Sequence, residues 1–522
     1  MDPAAIIRRG ATMYRDNLAV SFEGREQTYA ALFERACRLA NVFRACGAAR
    51  GDRVAVLGDN AFETVEQAAA CALANNPRAT LYTYQSAATN RYLLELVGAR
   101  VLVVQARYAA ELVPLLEGLK ELREVIVFGE GPRPAGTTDY ETALAAHAPD
   151  DVLVPVEPDD VHIVRFSSGT TGKPKGIYHS VARWTQYNNE WRWVTPMLTE
   201  RSRYLVPASL CHLGVAFLWG TLAVGACIIP VPAFDARRVL DLLESHRATH
   251  TVAAPVMIRD MVRDATARQR DFSNLQCLMY AGSPIAPETL DAAIEVFGPT
   301  LFQLYAQSEA MPITMLLPHQ HAPRGTEAER KRARSAGRPT PNVVVSIRGE
   351  DGRALPVGEV GEIAARGPST MSGIWGDPRA TADRTLPDGS VLTRDMGYMD
   401  EDGFVYLVDR KDDMIVSGGF NIWPSELEDA LRGHPAVSDA CVFGVPDDRW
   451  GETPLAAVVP APGRQVTEDE LIAHTRNIVG GVKKITRVVF LNSLPRTATG
   501  KVQRNALKAP YWAGRETRIA GS

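Results

Sequence analysis

Near the start of the chain a helical period runs straight into a strand period. "TYAALFERACRLANVFRACG" places Leu32, Phe33, Ala36, Leu39, Ala40 and Phe43 on one face, with Thr28 as N-cap and Gly47 as stop. "RVAVLG" (53–58) follows at once, and "ARVLVVQ" (99–105) comes after a second helical stretch. Helix and strand in alternation predict α/β layers with largely parallel strands. At 522 residues the chain exceeds one ordinary domain and predicts two or three.

The pattern changes downstream. Between Val343 and Leu407, short strands ("VVVSIRG", "GEIAARG", "GFVYLV") are separated by Asp-Gly pairs at 351–352, 388–389 and 402–403. Such pairs are hairpin signals, so this part (about 343–408) reads as a small antiparallel barrel or sheet. After "DRKDD" (409–413) comes an α+β unit of about a hundred residues. Pro424 opens a helix that Gly433 ends, Val437–Val445 is a strand, Thr467 and Glu470 form a capping box, and Thr486–Leu491 is a strand. The expected organisation is a large N-terminal domain over 1–411, containing two α/β subdomains and the barrel-like part, and a small domain over 412–522.

Leu213–Phe234 carries no charge over 22 residues, about the ~20 that cross a bilayer. Gly225 interrupts it, β-branched Ile228, Ile229 and Val231 follow, and Pro230 and Pro232 suit a strand end. A buried helix and strand is therefore expected, and no transmembrane segment. "MDPAAIIRRGATMYRDN" lacks the apolar core of a signal peptide. The seven cysteines are scattered without metal-ligand spacing and read as reduced thiols of a cytoplasmic protein. A balance of 57 basic to 61 acidic residues, net −4, lacks the basic footprint of a nucleic-acid binder. The run "EAERKRAR" (327–334) reads as a solvated helix or loop.

The chemistry centres on "FSSGTTGKPKGIY" (166–178), a Gly- and hydroxyl-rich loop between strand-like "VHIVRF" and Pro174. It is not a P-loop: Gly169 and Gly172 are three apart rather than five, and Lys173 precedes Pro174 rather than Ser or Thr. "SSGTTGKPKG" instead closely resembles the phosphate loop of the adenylate-forming superfamily, which holds acyl-CoA synthetases, luciferases and nonribosomal adenylation domains. Further matches follow in that family's order. They are "PASLCHLG" (207–214), "FD" (234–235), "YAGSP" (280–284), "LYAQSEA" (304–310), "GRP" (337–339), "TRD" (393–395), "DRKDDMIVSGGFNIWPSELE" (409–428) and "LPRTATGKVQR" (494–504). The resemblance spans nearly the whole chain.

That resemblance implies ATP, Mg²⁺ and CoA as the reaction's small molecules, and a carboxylic acid activated as acyl-AMP. Ser167, Ser168, Gly169, Thr170, Thr171, Gly172 and Lys175 would hold phosphates, through freed backbone N–H groups, hydroxyls and one charge. Glu309 would bind Mg²⁺, Ser308 the α-phosphate, and Tyr305 the adenine, beside Gly282, Ser283 and Pro284. The Asp395 carboxylate would accept hydrogen bonds from both ribose hydroxyls, although Arg394 stands where the family usually has Gly, and Arg410 would help hold the ribose or phosphate. His212, Tyr280 and Ala281 would border the acyl pocket. Lys501 would be the catalytic lysine, bridging carboxylate and α-phosphate while charge builds on phosphorus oxygens. Asp412 matches the hinge on which the family's mobile small domain turns between adenylation and thioester formation. Gly418, Gly419 and Phe420 would then line the pantetheine tunnel.

An acid:CoA ligase is the leading reading. A ligase that loads a carrier protein and a nucleotide-binding homologue without catalysis are alternatives, although the presence of both Glu309 and Lys501 favours catalysis. Segments 184–193, 211–219 and 280–284 are expected to shape the acid pocket. Trp184, Tyr187, Trp191 and Trp193 are open to two readings, lining a hydrophobic site or packing a helix. A bulky apolar acid (aryl, alicyclic or medium-chain) is expected, and monomer or homodimer is left open.

Overall fold

The computed structural model describes residues 2–167, 174–417, 420–447, 450–480, 485–496 and 502–513, without the side chains of Asp412, Phe420 and Asn421. The chain divides into two compact units. The first comprises Met1–Val345 and Ala365–Thr393, the second Ser346–Ala364 and Arg394–Ser522.

The first unit contains two large sheets. One runs in the order Arg338–Pro339, Thr314–Leu316, Leu301–Tyr305, Cys277–Ala281, His250–Ala253, Arg203–Val206, Cys227–Pro230, Leu18–Phe22, Arg25–Thr28. Its middle is parallel, from Leu301–Tyr305 to Leu18–Phe22. The other runs Gly373–Ile374, Lys175–Ser180, Val161–Ser167, Arg78–Thr80, Val54–Leu57, Val101–Gln105, Glu124–Phe128, Thr138–Asp139. Parallel strands need both faces covered, which explains their near-continuous apolar runs. Along Cys277–Ala281, residues 277, 279 and 281 join a core cluster fed by both sheets. Leu278 and Tyr280 face a second cluster beneath the helices Ala236–Ser245, Pro255–Arg263 and Pro287–Phe297.

Local signals act as expected here. The helix Tyr29–Ala45 is capped by the Thr28 hydroxyl, which accepts from the Ala31 N–H. The uncharged run folds as the helix Leu218–Ala223 and the strand Cys227–Pro230, both inside the core. No helix among the described residues is long and apolar enough to cross a membrane. "EAERKRAR" forms a short capped helix, Glu327–Arg332, with no buried residue.

The second unit holds most of a four-stranded sheet, ordered Val344–Arg348, Gly361–Arg366, Val391–Met399, Val405–Arg410, where an antiparallel barrel or sheet was expected. Asp402-Gly403 turns between the last two strands, which pair antiparallel. Asp351-Gly352 and Asp388-Gly389 close smaller antiparallel bridges, Arg348↔Ala354 and Thr385↔Val391. A further sheet orders Phe420–Ile422, Ile415–Ser417, Gly451–Pro460 and Val437–Asp447, with Arg487–Phe490 parallel to Gly451–Pro460. Around it lie the helices Pro424–Arg432, Glu468–Val479 and Arg504–Trp512.

Gly225 ends the buried helix at φ +77°, and a Cβ there would stand 2.3 Å from Tyr14 Cγ. We expect Gly225→Ala to lower stability by about 2 kcal/mol or more, from strain plus clash. Gly24→Ala, at φ +78° in open space, should cost only about 1 kcal/mol. Urea titrations of both variants check this, and equal losses would rule out the clash.

Candidate active site

The glycine-rich segment lies in sequence between the two strands of an antiparallel pair. Val161–Ser167 enters it and Lys175–Ser180 leaves it, with Ser167 opposite Lys175. Ser168, Gly169, Thr170, Thr171 and Gly172 lie outside the described residues. Lys175 Nζ stands 3.7 Å from Asp377 Oδ2, and the Tyr82 hydroxyl donates to the Phe166 carbonyl at 3.0 Å.

Glu309 reaches the same region on the segment after the strand Leu301–Tyr305. Gln307 and Ala310 exchange backbone hydrogen bonds (2.9 and 3.2 Å), and the Met371 N–H donates to the Glu309 carbonyl at 2.8 Å. The buried carboxylate has Arg384 Nη2 3.5 Å from Oε1. His179 Nε2, on the strand leaving the loop, lies 2.8 Å from the Ser308 carbonyl oxygen. The strand leaving the glycine-rich loop and the Ser308–Glu309 segment are thereby tied to each other. Tyr305 is buried at the strand end.

Two other segments leave carboxyl ends of parallel strands of this sheet, where open α/β folds bind ligands. After Cys277–Ala281 the backbone turns through Gly282 (φ +99°) into Ser283 and Pro284, with Gly282 and Pro284 exposed. The Tyr280 side chain faces away from Ala281, into the second core, with its hydroxyl 2.9 Å from His321 Nε2. After Arg203–Val206 comes His212, whose ring packs edge-on against Tyr82 at 5.7 Å. Trp184, Tyr187 and Trp191 form a buried aromatic row with centroids 4.8 and 5.1 Å apart, whereas Trp193 is 71% exposed.

In the second unit Asp395 and Arg410 face each other across a strand pair, Arg410 Nε donating to Asp395 Oδ1 at 2.8 Å. Arg394 takes φ +63°, the left-handed conformation glycine adopts most easily. Its N–H donates to Glu362 Oε1 at 3.0 Å, and Lys411 Nζ donates to Glu362 Oε2 at 2.8 Å. Burial raises the carboxyl pKa of Asp409. Arg504 binds Asp413 at 2.5 Å and Glu428 at 2.7 Å. Lys501, Gly418, Gly419 and the side chains of Phe420 and Asp412 lie outside the described residues.

The AMP-binding enzyme family matches residues 7–375, and the AMP-binding enzyme C-terminal domain matches 426–501. The chain belongs to the AMP-binding enzyme family. It is 34% identical to a medium/long-chain-fatty-acid–CoA ligase of Mycobacterium tuberculosis, over 97% of this chain and 89% of that one. It is 36% identical to a feruloyl-CoA synthase of an Amycolatopsis species, over 96% of this chain and 98% of the relative. The solved structure of the amide bond synthetase McbA from Marinactinospora thermotolerans aligns with a TM-score of 0.84 and 30% identity, over 98% of this chain and all (100%) of that one.

In this AMP-binding enzyme, three side chains escaped the sequence reading: His179 on Ser308, Arg384 on Glu309, and Arg183, which donates to Thr370 Oγ1 at 2.9 Å. His179 sits one strand-length after the loop, but nothing local marks its partner. Burial is the main cause that lowers the pKa of His162 to about 3 and of His179 to about 4, with nearby arginines adding to it. Both imidazoles are thus neutral when folded and protonate near 6.5 when unfolded. Their contribution to stability is complete above about pH 6.5 and is lost as pH falls toward 4, by about 1.4 kcal/mol per pH unit for each ring. Ring-proton shifts of His162 and His179 should stay constant from pH 7.5 to 5.5, and a midpoint near 6.5 in the native spectrum would contradict this burial.

Proposed function

We propose that this chain is an AMP-forming acid:CoA ligase. A carboxylate is a poor acyl donor because oxide would have to leave. Attack of its oxygen on the α-phosphorus of ATP forms acyl-AMP and breaks the bond to pyrophosphate. A thiol then attacks the acyl carbon, AMP leaves, and the thiol proton is released. Such transfers rest on positioning and charge neutralisation.

The carrying observation is the His179–Ser308 contact, which ties the strand leaving the glycine-rich loop to the Glu309 segment. On this reading the loop, with Ser167 and Lys175, holds the β- and γ-phosphates. Ser308, Tyr305 and residues 282–284 receive the α-phosphate and adenine. Asp395 and Arg410 receive the ribose.

Glu309 would hold Mg²⁺. One carboxylate fits an ion that takes most other ligands from phosphates and water, and among the described residues no multi-residue metal cluster exists. Its chemistry would be neutralising phosphate charge. His212 and Ala281 border the acid, whose body is bulky and apolar against the Trp184–Tyr187–Trp191 row. Asp412 is the hinge of a domain starting there, and residues 418–420 line the path of the thiol arm.

Pyrophosphate release should appear on screening aryl, alicyclic and medium-chain acids with ATP, and CoA should then yield a thioester and AMP. Release with no acid would defeat the adenylation reading. Thioester formed only on a carrier protein would defeat CoA as acceptor. We expect Lys501→Ala to lower acyl-AMP formation by at least about 10²–10³-fold while sparing thioester formation from supplied acyl-AMP. Equal loss of both half-reactions would contradict the role given to Lys501.

A further inference from the structure

Two buried arginines in the first unit differ from the half-buried arginines that this chain pairs with carboxylates. Arg35 bonds Glu66 and Glu141, and Arg504 bonds Asp413 and Glu428. Arg78 and Arg165 are each only 4% exposed, yet neither pairs with a carboxylate among the described residues. The Arg78 contact is Nη2 to Cys211 Sγ, 3.7 Å. Arg165 has Nη1 2.6 Å from the Met311 thioether and Nη2 3.5 Å from the His212 carbonyl. The Nε atoms of both, and the hydroxyl of fully buried Thr80, have no hydrogen-bond partner among the described residues. A guanidinium cannot shed its proton, and a buried one with no carboxylate partner is costly, even with the Tyr82 hydroxyl close to Arg165.

The register places the pair on one surface. Arg165 lies opposite Thr80, and Arg78 opposite Ile163, in adjacent parallel strands, so all four side chains share a face. Both guanidiniums converge on consecutive residues, Cys211 and His212. Arg165 is also two residues before Ser167 and contacts Met311, two residues after Glu309. The nearby His162 and His179 cannot supply the missing negative charge, since an imidazole is neutral or cationic. The buried carboxylate Glu190 accepts from Asn342 Nδ2 at Oε1 (2.6 Å), and its Oε2 bonds neither guanidinium.

We propose that Arg78 and Arg165 form an anion subsite for the acid, which carries a second carboxylate at the end remote from the reacting one. This rests on the ligase reading above. The aromatic row takes the apolar body of such a diacid, the arginine forks take its far carboxylate, and the near carboxylate is left to react. The preference arises because a monoacid of the same length leaves both guanidiniums unpaired, and sites built to pair a polar group discriminate strongly against analogues lacking it.

The test compares matched pairs, benzoate with terephthalate and octanoate with suberate, on the full-length chain. Pyrophosphate release should show kcat/KM at least about tenfold higher for a diacid than for its monoacid in one pair or both. In Arg78→Met and Arg165→Met that ratio should collapse toward one, and in Arg165→Lys it should fall partway. Equal or better use of both monoacids by the natural chain overturns the proposal, whatever the variants do. So does an unchanged ratio in the variants, the result of a purely structural role. Equilibrium binding of the same acids without ATP reads the subsite independently of turnover. Tighter diacid binding without pyrophosphate release would uphold the subsite and refute the ligase, whereas pyrophosphate release without diacid preference would do the reverse.

Discussion

The antiparallel pairing of Val161–Ser167 with Lys175–Ser180 is the constraint on which the candidate site depends. It sits inside a large sheet, with Arg78–Thr80 on one side and Gly373–Ile374 on the other, so neither strand can slide without breaking its neighbours' register. That register presents the two ends of the glycine-rich loop as a fixed pair. It also aims alternate side chains of both strands at one face, where His179 meets the Ser308 carbonyl and Arg165 meets Met311. A one-residue slip would turn Arg165 and His179 to the opposite face.

The second sheet supplies the other half of the geometry. Its parallel strands are covered on both faces, so the free backbone lies at their ends. The segments carrying His212, Gly282–Pro284 and Ser308–Glu309 all leave carboxyl ends of those strands. The short-range bonds around Glu309 then fix one carboxylate in a nearly closed place, with Arg384 beside it. In the proposed ligase, that carboxylate would take the ion that arrives with the phosphates.

Much of the fold was legible because its signals are local. The Thr28 cap, the break at Gly225, the helix from Pro424 to Gly433 and the Thr467–Glu470 capping box act within a few residues. Tyr280 shows the limit. Its motif placed it beside the acyl pocket, but strand alternation sends the ring to the other face, and only Ala281 faces that way. Trp193 likewise differs from Trp184, Tyr187 and Trp191 because its side of the helix meets solvent. Arg394 carries the opposite lesson, since the backbone keeps the left-handed turn that glycine would favour and the side chain adapts.

By itself the sequence determined the class of chemistry, because the ordered motifs that carry the family resemblance are properties of the chain alone. It determined where helices and strands lie, since capping and periodicity are short-range. Only the tertiary structure decided which side chains face each other. His179 on Ser308, Arg384 on Glu309 and the carboxylate-free Arg78 and Arg165 lie from 47 to 146 residues from the partners or neighbours named for them. Contacts at that separation are set by strand register and sheet order, which no local pattern encodes.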